Sequence, residues 1–223
     1  MSSLEVTRQA IDRLWNSKDE LRIYESKLAY AGTIDQNEYL NYCFPAGSWR
    51  AFDRAISRED PVDNNADRFA VKHLIQWGKA DTSVFKEKLG VEMPDWVHEF
   101  YSKIVCCVLN LRNCIYIKSP AQAVEDEINF REWTGETHLP VRFIRFVEFG
   151  VEGNGIAFGQ PKPEGPWGID YYWHAEGVAE HQSSDAPCPE SDIGAMINRL
   201  LDTDGHPVWK GWEDEDCEVK RIR

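Results

Sequence analysis

The chain has 223 residues, 42% of them hydrophobic, with 9 Trp, 8 Tyr and 10 Phe, enough apolar material for a packed core, and this excludes a wholly disordered chain. Its net charge is −13, and the imbalance is local: residues 1–80 carry 11 Lys+Arg against 12 Asp+Glu, residues 81–223 carry 14 against 26. A surface this negative repels nucleic-acid phosphates; it either suits a basic partner or serves solubility alone.

No apolar run approaches the ~20 residues that span a bilayer. The start, MSSLEVTRQAIDRLW, lacks the basic and apolar regions of a signal peptide. A cytoplasmic protein is therefore expected, without a membrane partner. The six cysteines form no C-x-x-C pair. The adjacent Cys106 and Cys107 in an apolar run read as buried thiols, and no metal or other cofactor is expected.

In chain order, Leu4, Ile11, Leu14, Trp15, Leu21, Ile23, Tyr24 and Leu28 recur at near-helical spacing, predicting helix over 4–31, with a restart at Ser17 where Glu20 completes a capping box. A short helix is predicted near Gln36–Cys43. Pro45, Gly47, Pro61 and Asp63-Asn64-Asn65 mark loops, and a further helix is predicted over Asp67–Trp77.

Past Gly78 the pattern changes. Asp81-Thr82 caps a helix ending at Leu89-Gly90, and Pro94 sits in the first turn of another through Ile104. Val105–Leu111 and Cys114–Ile117 read as strands of a hairpin turning at Arg112-Asn113. Ser119-Pro120 opens a helix that reaches Trp133 and stops at Gly135. Val141–Phe149 alternates as a strand, with Phe143, Val147 and Phe149 on one face and Ile144 and Phe146 on the other. A turn at Gly153-Asn154-Gly155, a short strand Ile156–Gly159, a strand Trp167–Trp173 and an amphipathic helix Glu190–Leu201 follow. The tail, with Glu213 to Asp216 and then Lys220-Arg221, is expected to fray.

The predicted class is α+β: a twisted, mostly antiparallel sheet flanked by helices, because hairpin-length connections favour antiparallel pairing. Three parts are expected: an N-terminal helical extension over 1–78, the sheet domain over 79–210, and a charged tail over 211–223.

Four segments carry a family pattern. FKEKLGVEMPDWVHEFY (Phe85–Tyr101) ends a helix in Leu89-Gly90, makes the apolar-Pro step Met93-Pro94, and starts a helix with Trp96, Phe100 and Tyr101. Phe146–Phe158 runs a strand into the Gly153-Asn154-Gly155 turn. WGIDYYWH (Trp167–His174) is a Gly-apolar strand ending near a His, and Ser191–Leu201 is a closing helix. In order and spacing, residues 81–206 resemble the SMI1/KNR4 family, the SUKH superfamily. The match departs from the family at Ser102-Lys103-Ile104, where an Asn-Gly is usual, at Asn154, where many members place a Gly followed by Asp, and at Ile193, where an aromatic is common. The resemblance implies a protein-binding domain without catalytic residues. Bacterial members are frequently immunity proteins that neutralise a toxin, often a nuclease; fungal members act as scaffolds.

Candidate partner-binding residues fall in two groups. Glu125, Asp126, Glu127 and Glu132 lie along one helix and could steer a basic protein, or simply face water. Glu148, Glu152, Asp170, Glu176 and Glu180 gather around strand ends near Trp167, Tyr171, Tyr172 and Trp173, an arrangement of aromatic anchors with acidic rims or else of core aromatics. His174 and His181 follow no ligand or catalytic spacing. The expected function is an immunity-type protein that binds a basic toxin domain without being an enzyme. A regulatory scaffold of the fungal kind and a hydrolase using His174 or His181 stay open as alternatives.

Overall fold

The computed structural model describes residues 1–18, 22–26, 68–71, 73–111, 114–149, 154–162, 164–172, 190–203, 205 and 219–221. Its centre is a six-stranded antiparallel sheet in sequential order. The strands are β3 (Leu74–Trp77), β4 (Ile104–Asn110), β5 (Cys114–Ile117), β6 (Phe143–Phe149), β7 (Asn154–Gly159) and β8 (Gly168–Tyr172). Every neighbour in chain order is a neighbour in space, as short connections dictate. The α+β class and the flanking helices are as the sequence predicts.

Among the described residues, five helices accompany the sheet: α1 (Ser3–Ser17), α2 (Ser83–Leu89), α3 (Asp95–Tyr101), α4 (Pro120–Thr134) and α5 (Ile193–Asp202). Their ends follow local chemistry. Ser2 and Glu5 form a reciprocal capping box on α1, with the Ser2 amide donating to Glu5 Oε2 at 2.8 Å. Asp192 Oδ1 accepts from the Ala195 amide at the start of α5. Gly90 and Gly135 end α2 and α4 in the left-handed conformation, φ 71° and 74°, where a Cβ would be strained.

One face of the sheet carries the main core. Phe146 stacks on Phe158 with ring centroids 3.7 Å apart, and Phe85 of α2 and Trp96 of α3 meet the same ring edge-on and tilted. Ala10, Ile11 and Leu14 of α1 and Ile193, Met196, Ile197 and Leu200 of α5 complete that cluster. Fully burying a side chain of this size contributes roughly 1.5–3 kcal/mol. α4 meets β6 in a second small cluster, where Phe130 packs with Phe143 and Ala157, while its Ala123 and Val124 join the main one.

Several elements differ from the sequence expectation. Arg22–Ser26 is a strand, β1, rather than the second half of a helix, and it pairs with β2 (Arg68–Val71) and β9 (Val219–Arg221) in a separate three-stranded antiparallel sheet. Residues 68–71 and 74–77, expected as one helix, are the two strands β2 and β3. Non-local pairing overrides helical spacing at such β-prone segments. The tail expected to fray supplies β9. Pro94 is the N-cap of α3 rather than a first-turn residue. Asn154 and Gly155 already pair with Phe149 and Glu148 as strand, not turn.

A bulge between Arg145 and Val147 shifts the register of β6, so Ile144, Phe146 and Val147 all join the core. The expected strict alternation there fails because a bulge inserts an extra residue. The short helix predicted near 36–43 lies outside the described residues. Among the described residues, no helix is long and apolar enough to cross a membrane.

Candidate functional site

The site is built around α4 and the sheet face beneath it. Ser119 Oγ accepts from the Gln122 amide and Pro120 fills the first helical position, so the helix starts where the sequence says. Its inner stripe is set by Pro120, Ala123, Val124, Glu127 and Arg131, all buried. Two charged residues on that stripe require partners, since an unpaired buried charge is costly.

Those partners come from β6 and the loop after α4, and a further buried charge lies just past β5. Lys118, whose side chain is 3% exposed, is clamped between Asp126 of α4, at 2.5 Å, and Glu148 of β6. Arg145 lies over the Phe130 ring at 4.0 Å, donates to the Asp126 carbonyl at 3.1 Å, and stands 3.9 Å from Glu127 Oε2. Arg131 donates to the carbonyls of Glu136 and Leu139, folding the loop after α4 back onto its last turn. Burial pushes the Glu127 carboxyl up to about 7, against the pull of Arg145 and Arg131.

The outer stripe of α4 is different. Glu125, Asn129 and Glu132 face solvent. Trp133 is 78% exposed and Leu139, just beyond the helix, is 41% exposed. Trp133 follows Val124 by nine positions, which is two and a half turns, so an indole on this helix must point away from the core. The Phe130 ring lies 6.0 Å away between centroids, tilted at 54° to it.

The sequence-nominated residues therefore separate. Glu125 is exposed on α4 and available to a partner. Asp126 and Glu148 are brought together, but by Lys118, as internal counter-ions. Trp167 is half-buried and packs against the main core, so its aromatic ring serves packing. Asp170 is half-buried on β8, opposite Ala157. Tyr172 pairs in register with Gly155. Glu152, Glu176, Glu180, His174 and His181 lie outside the described residues.

Lys118, Glu127, Arg131, Arg145 and Trp133 carry the site's physics, although the sequence reading singled out only Glu127 among them, and as a solvent-facing charge. Helical projection from Ala123 and Val124 was the available signal: it turns Trp133 outward and Glu127 inward. Among the described residues, no cluster of three or more His, Cys, Asp or Glu side chains could hold a metal ion. One shallow cleft of about 330 Å³ lies beside α2, lined by Lys79, Thr82, Lys86 and His98 among others. There Thr82 Oγ1 and His98 Nδ1 are 2.7 Å apart.

No protein-family model matches the chain, and no curated protein matches it significantly.

Proposed function

We propose that this chain is a non-enzymatic, SMI1/KNR4-type protein-binding domain of the cytoplasm, and that it works as an immunity protein by binding and masking a basic toxin domain. One observation carries the reading. Of the charges around α4, the cations Lys118, Arg131 and Arg145 are drawn inward, while Glu125 and Glu132 face out. The field that an approaching molecule meets there is negative. A negative patch speeds encounter with a positive partner and sets its orientation. The overall charge of −13 points the same way, and a nuclease toxin, which must bind phosphates, presents the complementary sign.

The test is to look for a toxin domain encoded beside the chain's own gene and to co-express the chain with it. Growth rescue, with an affinity that weakens steeply between low and physiological salt, is the expected result. No rescue and no measurable complex with that domain would overturn the reading.

A further inference from the structure

The direction of the charge around α4 does not say where a partner anchors, but the exposed apolar groups do. Outside α4 and its following loop, the large exposed hydrophobics among the described residues are Met1 and Trp15. Trp15 is already engaged, edge-on to Trp77 at 4.9 Å and under the Lys18 ammonium. Trp133 is more exposed and has no cation over its ring among the described residues, and Leu139, in the loop that the Arg131 clamp folds back, is exposed too.

A solvent-facing Trp costs hydration free energy that the fold gains nothing from, since its ring contributes little to the core. At interfaces Trp, with Tyr and Arg, is enriched among the anchors. The chemistry around it selects the occupant. Over residues 118–142 the cations are Lys118 and Arg131, both buried, and Arg142, half-buried, against five Asp and Glu. An exposed indole on a helix whose solvent-facing charges, Glu125 and Glu132, are carboxylates is complementary to a guanidinium, which stacks on the ring and is drawn by the negative charge around it.

We infer that the C-terminal half of α4 is the docking surface, with Trp133 as anchor, and that its occupant is an arginine-bearing segment of a basic protein. The side chain of that arginine lies over the Trp133 indole, within reach of Glu132. This deepens the proposed function and rests on its assignment of a basic partner.

The experiment titrates a synthetic tetra-arginine peptide into the 15N-labelled full chain and follows amide and indole signals, with a tetra-glutamate peptide as control. Trp133→Phe assigns the Trp133 indole resonance. The expected result is a saturable shift of that resonance and of α4 amides with the arginine peptide only, the amide shifts being lost in Trp133→Ala. Shifts centred elsewhere, or none at millimolar peptide, would overturn the surface. Because the ring is exposed, Trp133→Ala is expected to melt with the wild type, so a lost shift reports contact and not unfolding.

A second arm uses the toxin domain. Trp133→Ala or the double variant Glu125→Lys, Glu132→Lys is expected to weaken its complex by at least about 30-fold, the scale of an anchor residue. If the variants bind the toxin as tightly as wild type, the surface is wrong while the function stands. If wild type binds no toxin yet the peptide maps to Trp133, the function is wrong while the surface stands.

Discussion

Taking Lys118 out of water requires two carboxylates in place of its hydration shell, and Asp126 and Glu148 supply them from a helix and a strand. Each is only about a third exposed, so the pair is screened less than a surface ion pair and fixes how α4 sits on β6. Glu127 is the costlier neighbour. Its Oε2 has no hydrogen-bond donor among the described residues, and its carboxyl is raised from 4.5 to about 7, chiefly by burial. A group bound more tightly to its proton in the folded state stabilises the fold below its unfolded value and loses that contribution as pH rises. Stability should therefore fall between about pH 4.5 and 7 by up to about 3 kcal/mol from this group. Glu127→Gln keeps the shape and removes the charge, so its urea midpoint should exceed that of wild type at pH 8 and converge with it near pH 4.5. Parallel pH profiles of the two proteins would refute this. The two buried thiols add no comparable switch: burial raises Cys106 to about 11 and Cys107 further, leaving both protonated and unreactive near neutrality.

Between elements, the tightest fit is where α1 crosses α5. A Cβ placed on Gly194 would come within 2.5 Å of the backbone of Thr7, which no side-chain rotation relieves. Gly194→Ala should force the two helices apart and cost at least about 1–3 kcal/mol, the scale of overpacking in a core. Thermal melting measures the loss, and hydrogen exchange should show the α1 amides opening first; unchanged exchange would refute the crossing. Nothing in the run Ile193-Gly194-Ala195-Met196 announces this, because a glycine required by a neighbouring helix looks the same in sequence as a tolerated one. The elements of residues 83–202 were legible because their punctuation is local: Leu89-Gly90, Ser119-Pro120 and Gly135 mark ends by backbone chemistry alone. The early strands are not legible in the same way. Phe69 with Val71, and Ile75 with Trp77, do alternate with period two, but each run is four residues long and its strand state is decided by partners far along the chain. At the site, the acidic character of α4 was legible, whereas the inward turn of Asp126 and Glu148 depends on Lys118, whose burial follows only from the assembled sheet.

For the molecule as a whole, the position of α1 decides between two pictures of the N-terminal segment. A separable docking arm would carry its apolar residues on a surface of its own. Instead Ala10, Ile11 and Leu14 are at most 8% exposed and sit in one cluster with residues of α3, β4 and α5. Arg8 pairs with Glu99 and Arg13 with Asp202 along the same seams. Removing residues 1–18 would take three side chains from the core and bare the faces of α3 and α5 that they cover. Counting only the lost burial of Ile11 and Leu14, at roughly 1.5–3 kcal/mol each, and the cavity behind them, the loss is on the order of 5 kcal/mol or more. That is comparable to the whole net stability of an ordinary domain, about 5–15 kcal/mol. The chain lacking residues 1–18 is therefore expected to lose its cooperative thermal transition and its near-ultraviolet circular dichroism, and with them any partner binding. A truncated chain that melts sharply would mean that α1 is an appendage, and that partner binding lost on truncation reports a contact made by α1 itself rather than by α4.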